Sequence, residues 1–294
     1  MTNIIESINQ FSKRYDVLFC DIWGCIHNGK FALPNALNAL SDFRKNGGYV
    51  MLLTNAPRPK AAVKKHLKSM GITEEFFDDI TTSGDAAQVS MLSGKVGYNI
   101  YHLGPKRDES FFTDLPKDIH FDQEIIRVSL EKSEGIVCTG LFDDTRETPM
   151  DYIHIINYAI KKELKLLCVN PDIFVDVGHH RVWCAGGIAK AYSTAGGRTI
   201  YCGKPHEDIY KLAYAKLKKF FPRKKAKILC VGDGINTDIL GGCNQKLDTL
   251  FICGGLSGDE TGVAQGNEKP DPIKLNEFIR VNHLSPTASI GFLC

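Results

Sequence analysis

No stretch of the sequence approaches the roughly 20 uninterrupted apolar residues that a membrane-spanning helix requires, so no membrane role is implied. A charge excess is also missing: 36 basic against 34 acidic residues give a formal net charge of +2, too little to recruit nucleic acid. The Lys-rich run "PRKKAKI" at 222–228 precedes an apolar run and reads as a solvated turn. Ten cysteines are present without a CxxC pair or a compact Cys/His framework, which favours buried reduced thiols over disulfides or structural zinc. The N-terminal "MTNIIESINQFSKRYDV" lacks the basic, apolar and small-residue succession of a secretory leader. A mature cytoplasmic chain is expected, with Ile4, Ile5, Ile8 and Phe11 at helical spacing. There is no internal repeat and no low-complexity tract, and no GxGxxG follows an early strand, which speaks against a nucleotide-binding oxidoreductase.

What is there is an α/β pattern. The 294 residues suffice for two compact domains or one large one, and 43% hydrophobic with 24% charged residues is an ordinary globular composition. Short β-rich runs at 16–20, 49–54, 98–103, 126–130, 135–140, 165–170, 199–203, 226–232 and 248–253 alternate with helical stretches. The helices are expected near 34–46, 59–69, 84–94, 149–162, 187–195, 206–218, 237–244 and 271–280, which implies a largely parallel sheet. In such sheets ligands bind beyond the carboxyl ends of the strands, so Asp21, Thr54, Asn170, Lys204 and Asp233 come first.

Each of these residues has a chemical and a plain reading. Asp21 ends "VLFC" before a turn through Gly24; a carboxylate there can attack phosphorus and bind a hard cation, or simply form a turn or helix cap. Thr54 and Asn55 in "LLTNAPRP" can donate to phosphate oxygens, or cap the following helix. In "GDGINTD" Asp233 stands at a strand end and Asp238 five residues on, a pair suited to Mg²⁺ or to an Asp-Gly turn with a helix N-cap. Lys204 in "YCGKPHEDIY" can hold a carboxylate charged and neutralise a phosphoryl group, or be a solvated loop lysine.

Taken in order, strand-Asp, strand-Thr-Asn, Gly-Lys-Pro and strand-Gly-Asp-x4-Asp resemble the four motifs of the haloacid dehalogenase superfamily, matched by Asp21, Thr54, Lys204 and Asp233. The gap of about 150 residues between the second and third motifs, with "NPD" at 170–172 and "AGGIAKAYSTAGGRTIYCGKPHEDIY" at 185–210, resembles the class IIA branch and its α/β cap. The string "DIWGCIHNG" further resembles a bacterial subgroup written DxWGxxHxG. The resemblance implies a Rossmann-like core of residues 1–81 and 200–294 with a cap at 82–199 inserted into it. It further implies a Mg²⁺-dependent phosphatase of a small phosphorylated metabolite, with Asp21 as nucleophile and metal ligand. Asp233 would bind the metal directly and Asp238 through water or a neighbouring ligand, while Thr54, Lys204 and Asn55 hold the phosphoryl group.

Trp23 is the departure. The family usually has an aspartate there whose carboxyl is the general acid and base and whose backbone carbonyl binds the metal; tryptophan keeps only the carbonyl. General acid and base catalysis contributes about 10² to 10⁴ in rate, so a slow enzyme or a phospho-ligand binding protein is the alternative. His27 is the candidate replacement donor, and the Trp23 indole is expected either to wall the pocket with its N–H as a donor or to pack under the cap. By family analogy the cap loop "NPDIFVDVGHHRVW" brings Asp172, Asp176, His179, His180, Arg181 and Trp183 to the entrance as substrate contacts. Adjacent histidines on an extended segment point opposite ways, so His179 and His180 are not expected to share a metal ion. Oligomeric state stays open, a homo-oligomer included.

Overall fold

The computed structural model describes residues 2–10, 12–116, 123–178, 180–222, 225–263 and 268–294. Fourteen strands are described: β1 Asn3–Ile4, β2 Val17–Cys20, β3 Tyr49–Thr54, β4 Asp79–Thr82, β5 Asn99–Leu103, β6 Ile126–Arg127 and β7 Gly135–Cys138 in the first half. The rest are β8 Lys165–Cys168, β9 Phe174–Val177, β10 His180–Trp183, β11 Arg198–Tyr201, β12 Ile228–Gly232, β13 Asp248–Ile252 and β14 Ala288–Ile290. A seven-stranded parallel sheet runs in the order β1-β14-β13-β12-β2-β3-β4. A five-stranded parallel sheet, β11-β8-β7-β5-β6, is built from the chain between β4 and β12. β9 and β10 form a separate antiparallel hairpin. The architecture is thus an α/β Rossmann-like core carrying an inserted α/β cap.

The central strands read as continuous apolar runs because helices cover both faces of the sheet. Side chains alternate between faces along a strand. Leu18, Cys20, Val50, Leu52, Leu229 and Val231 accordingly join helix Pro34–Lys45 through Leu40 and Phe43 on one side. Val17, Phe19, Met51 and Leu53 join helices Ser83–Leu92 and Glu207–Leu217 on the other. That second cluster also takes in Ile100, Val137 and Leu167, so one face of the five-stranded sheet shares a core with the seven-stranded one. The opposite face closes on Tyr152, Ile156, Ile188 and Tyr192.

Three differences from the sequence reading concern elements. Helical spacing at the N-terminus gives way to the edge strand β1, whose Asn3 and Ile4 pair with Ala288 and Ser289, followed by two 3₁₀ turns; Phe11 lies outside the described residues. Pairing with a strand far along the chain outweighs a short local periodicity here. β4, β9, β10 and β14 were not expected, because runs such as "DITT" and "ASI" carry few large apolar side chains. The expected helix at 237–244 begins as a π-helical turn, Ile235–Ile239, that runs into the α-helix Leu240–Asn244. All ten cysteines are free, and eight are buried. Among the described residues no helix is long and apolar enough to cross a membrane.

Candidate active site

Register brings the motif residues to one edge. Cys20 lies opposite Val231 on β12 and Leu52 on β3, so Asp21, Thr54 and Asp233 leave the carboxyl ends of three adjacent strands. The backbone N–H of Asp21 donates to Val231 O at 2.8 Å, extending that ladder into the turn. Gly24 makes the turn: its φ is +76°, and a Cβ there would collide with the Asp233 carboxylate, so the position requires glycine on both counts. The other oxygen-rich wall comes from the π-helical turn, where Asp238 Oδ2 accepts from Gly234 N at 3.1 Å.

Lys204 sits at the centre with only 2% of its surface exposed, which makes its partners decisive. Its Nζ donates to Asp21 Oδ1 and Asp238 Oδ1, each at 2.6 Å, and to Leu53 O at 2.7 Å. Three acceptors use the three ammonium hydrogens. Burial alone would discharge this lysine, but Asp21, Asp238 and Asp172 raise its proton affinity, so it stays a cation. Asn55 anchors the loop that carries it: Asn55 Oδ1 accepts from Lys204 N at 2.8 Å, while Asn55 Nδ2 donates to Lys204 O at 3.1 Å and Asp172 Oδ1 at 2.8 Å. Thr54 Oγ1 accepts from Ala56 N at 3.2 Å, which leaves its hydroxyl hydrogen for another acceptor in the small pocket it lines beside Asp21.

The carboxylates outnumber the cation. Asp21, Asp233, Asp238 and Asp172 are clustered about one buried ammonium, and burial raises the proton affinity of all four. Lys204 opposes the shift at Asp21, Asp238 and Asp172, the last two reaching about 6; at Asp233 the charges of Asp21 and Asp238 add to it. Such uncompensated negative charge is what a divalent cation would neutralise. An oxygen of Asp21, an oxygen of Asp233 and Cys25 Sγ lie within 4.8 Å of one another. Burial and the nearby aspartates keep the Cys25 thiol protonated, so the ready donors are hard oxygens, the kind Mg²⁺ prefers.

The surroundings of Trp23 and the cap loop differ from the sequence reading in several ways. Trp23 Nε1 donates to Asp176 O at 2.7 Å, so the indole N–H is engaged by the β9–β10 hairpin and is not offered to a ligand, although the ring does wall the pocket. Gly178 N donates to Asn28 O at 3.1 Å and Arg181 Nη2 to Leu256 O at 3.4 Å, giving the hairpin three hydrogen-bonded attachments to the core among the described residues. Asp176 pairs with Arg181 across the hairpin at 2.8 and 2.9 Å, and Arg181 lies over the Phe174 ring, so these two side chains brace the hairpin. Asp172 sits beside Asn55 in the pocket of Asp21, deeper than an entrance contact. His180 and Trp183 line a larger cavity under the cap; His179 lies outside the described residues.

His27 is buried, its ring edge-on to Trp23 and to His66, and Nδ1 accepts from Gly29 N at 3.0 Å. Burial, assisted by His66, lowers its pKa to about 4, so the ring is neutral at pH 7 and its hydrogen is on Nε2. Two residues near the site have no place in the sequence reading: Arg58, two residues past Ala56, and His66, one helix turn beyond Val63, both lining the small pocket with Asp21. Arg58 could have been suspected from its closeness to "TN"; His66 carries no such signal.

The comparisons fit this site. Residues 18–115 match a model of haloacid dehalogenase-like hydrolases, and residues 201–278 a second model of HAD-like hydrolases. A hydrolase of the haloacid dehalogenase-like family from Brucella suis 1330 has 33% sequence identity, covers 99% of this chain and 100% of its own, and superposes with a TM-score of 0.83. The ribonucleotide monophosphatase NagD of Escherichia coli (strain K12) is 23% identical over 244 residues, 82% of this chain and 88% of that one. A glycerol phosphate phosphatase from Mycobacterium tuberculosis in complex with magnesium shares the fold at a TM-score of 0.62, with 22% identity over 90% of this chain and 76% of that one. The chain belongs to the haloacid dehalogenase-like hydrolases. Within them it is a class IIA, phosphatase-like enzyme with an α/β cap.

Proposed function

We propose that the protein is a Mg²⁺-dependent phosphatase of a small phosphorylated metabolite that works through an aspartyl-phosphate on Asp21, with residues 1–81 and 200–294 as catalytic core and 82–199 as the specificity cap. The observation that carries the reading is the buried ammonium of Lys204 held 2.6 Å from both Asp21 and Asp238 at the carboxyl edge of the sheet. Lys204 keeps Asp21 in its nucleophilic carboxylate form and remains close enough to neutralise the incoming phosphoryl group. Asp21, Asp233 and the Trp23 carbonyl, with Asp238 behind them, would hold Mg²⁺, which when bound lowers the negative charge that the phosphate must meet. Asp21 attacks phosphorus as the bond to the leaving oxygen breaks; water then attacks the phosphoryl group and frees the carboxylate. Thr54 donates its hydroxyl hydrogen to a phosphoryl oxygen, and Asn55 acts by fixing Lys204.

Trp23 supplies no proton, so leaving groups that depart as stable anions, such as acyl phosphates and aryl esters, are favoured over alkyl esters. Burial opposes a donor role for His27 and makes it a neutral wall of the pocket. The test is phosphate release from a metabolite panel with and without Mg²⁺: Asp21→Asn should abolish it, and undiminished release would overturn the mechanism. A second reading, a phospho-ligand binding protein with negligible turnover, is favoured by the engagement of the Trp23 N–H with Asp176 O. A large gain of hydrolysis in Trp23→Asp from a near-inactive wild type would support it.

A further inference from the structure

Beyond the pocket of Asp21 lies a cavity of about 740 Å³ under the cap, within the usual size range for small-molecule sites. The two spaces meet at Trp23, Arg58 and Asn170, which line both. A phosphoryl group held at Asp21 therefore has its remainder directed past Arg58 into this cavity. The charges that line it do not cancel. Arg107 is paired with Asp144, and Arg181 with Asp176. Two cations are left: Arg58, half-buried at the neck, and Lys30 at the exposed rim; neither makes a side-chain hydrogen bond or ion pair with any described residue. Against them stands one carboxylate, Asp108 on the cap, which feels the charge of Arg58 without pairing with it. The balance is one positive charge in a space whose walls also include Leu141, Val175 and Trp183.

Resting on the phosphatase reading, we propose that the preferred substrate carries a second anionic group, a carboxylate or another phosphate, on the part that leaves, and that Arg58 is the residue that selects it. A guanidinium with its N–H fork free is suited to bidentate recognition of such a group. An uncharged remainder would leave the excess positive charge of the half-closed cavity unmet. The informative contrast is therefore between esters that share a carbon skeleton and differ in whether the leaving part ends in an ionised group.

The experiment measures kcat/KM for matched pairs, phosphoglycolate against ethyl phosphate and phosphoglycerate against glycerol phosphate, in wild type and Arg58→Gln with Mg²⁺. Dissociation constants of the same four compounds on Asp21→Asn, with and without Arg58→Gln, give the same ratios independently of turnover. The expected result is an anionic preference of about tenfold or more in wild type, the size of one charge-assisted contact, that falls to near one in Arg58→Gln. Equal values within each wild-type pair, or a preference that survives Arg58→Gln, would overturn the proposal. Absence of Asp21-dependent hydrolysis of these esters and of an aryl phosphate alike, with the binding preference intact, would instead count against the phosphatase reading alone.

Discussion

Replacing Lys204 by methionine removes a charge and keeps much of the volume, so its effect follows from the geometry of three contacts. The ammonium that is lost sits 2.6 Å from Asp21 and Asp238 and 2.7 Å from Leu53 O, all in the buried interior. Truncating one partner of a buried ion pair costs about 3–5 kcal/mol because the other charge is stranded. Here two carboxylates and a carbonyl are stranded together, so the loss should reach the upper part of that range, a large fraction of the about 5–15 kcal/mol that holds most domains folded. Without the lysine, the proton affinities of Asp21 and Asp238 rise further above their unfolded values. The deficit is then fullest above the raised values of the variant and shrinks as pH falls from there toward about 6, where Asp238 of the wild type also takes up its proton. Urea unfolding of Lys204→Met at pH 7 and pH 5, followed by tryptophan fluorescence, measures both parts. Adding Asp21→Asn to Lys204→Met should recover part of the loss, as coupled neighbours do. A Lys204→Met protein within about 1 kcal/mol of wild type at pH 7 would refute the idea that this lysine neutralises the cluster.

The hairpin and the buried histidine give two further predictions. Trp23→Phe removes the 2.7 Å bond to Asp176 O together with part of the ring that walls the pocket, so a loss of at least about 1 kcal/mol, faster amide exchange in the hairpin and a raised KM are expected; unchanged exchange there would contradict the clasp. His27, moved from 6.5 to about 4, binds its proton more weakly folded than unfolded, so stability is fully present above about 6.5 and is lost as pH falls toward 4. That loss is roughly 3 kcal/mol by the shift, and His27→Gln should lack it; parallel stability curves for the two proteins between pH 7 and pH 4 would contradict the burial argument.

Much of the fold was legible because its central strands are short apolar runs that end in the residues that matter. "VLFC" before Asp21, "YVMLLT" ending at Thr54 and "ILCVG" before Asp233 each announce a buried parallel strand and a residue at its carboxyl edge. The hairpin was not legible: β9 and β10 have four residues each and are partly exposed, so "IFVDVGHHRVW" has no core-facing pattern distinct from a loop. The attachments of the site were hidden for a different reason. Asn55 holds a loop 149 positions away and Trp23 a carbonyl 153 positions away, and a single sequence carries no sign of such pairings. Their effect is to make Asn55, expected to hold the phosphoryl group, a support for Lys204, and to make the indole N–H of Trp23 a fastening for the lid-like hairpin.

The bond made by the Trp23 N–H changes what the residue's presence signifies. In place of a proton donor the chain has an indole that fastens the hairpin over Asp21, within a cluster whose remaining members surround Lys204. The central claim is that Asp21 accepts a phosphoryl group, and it is tested most directly by mixing the protein and Mg²⁺ with an aryl or acyl phosphate, quenching in acid and mapping peptides by mass spectrometry. The account predicts one added phosphoryl group on the peptide containing Asp21, absent in Asp21→Asn; phosphate release without that adduct at any quench time, or an adduct on another residue, would contradict it.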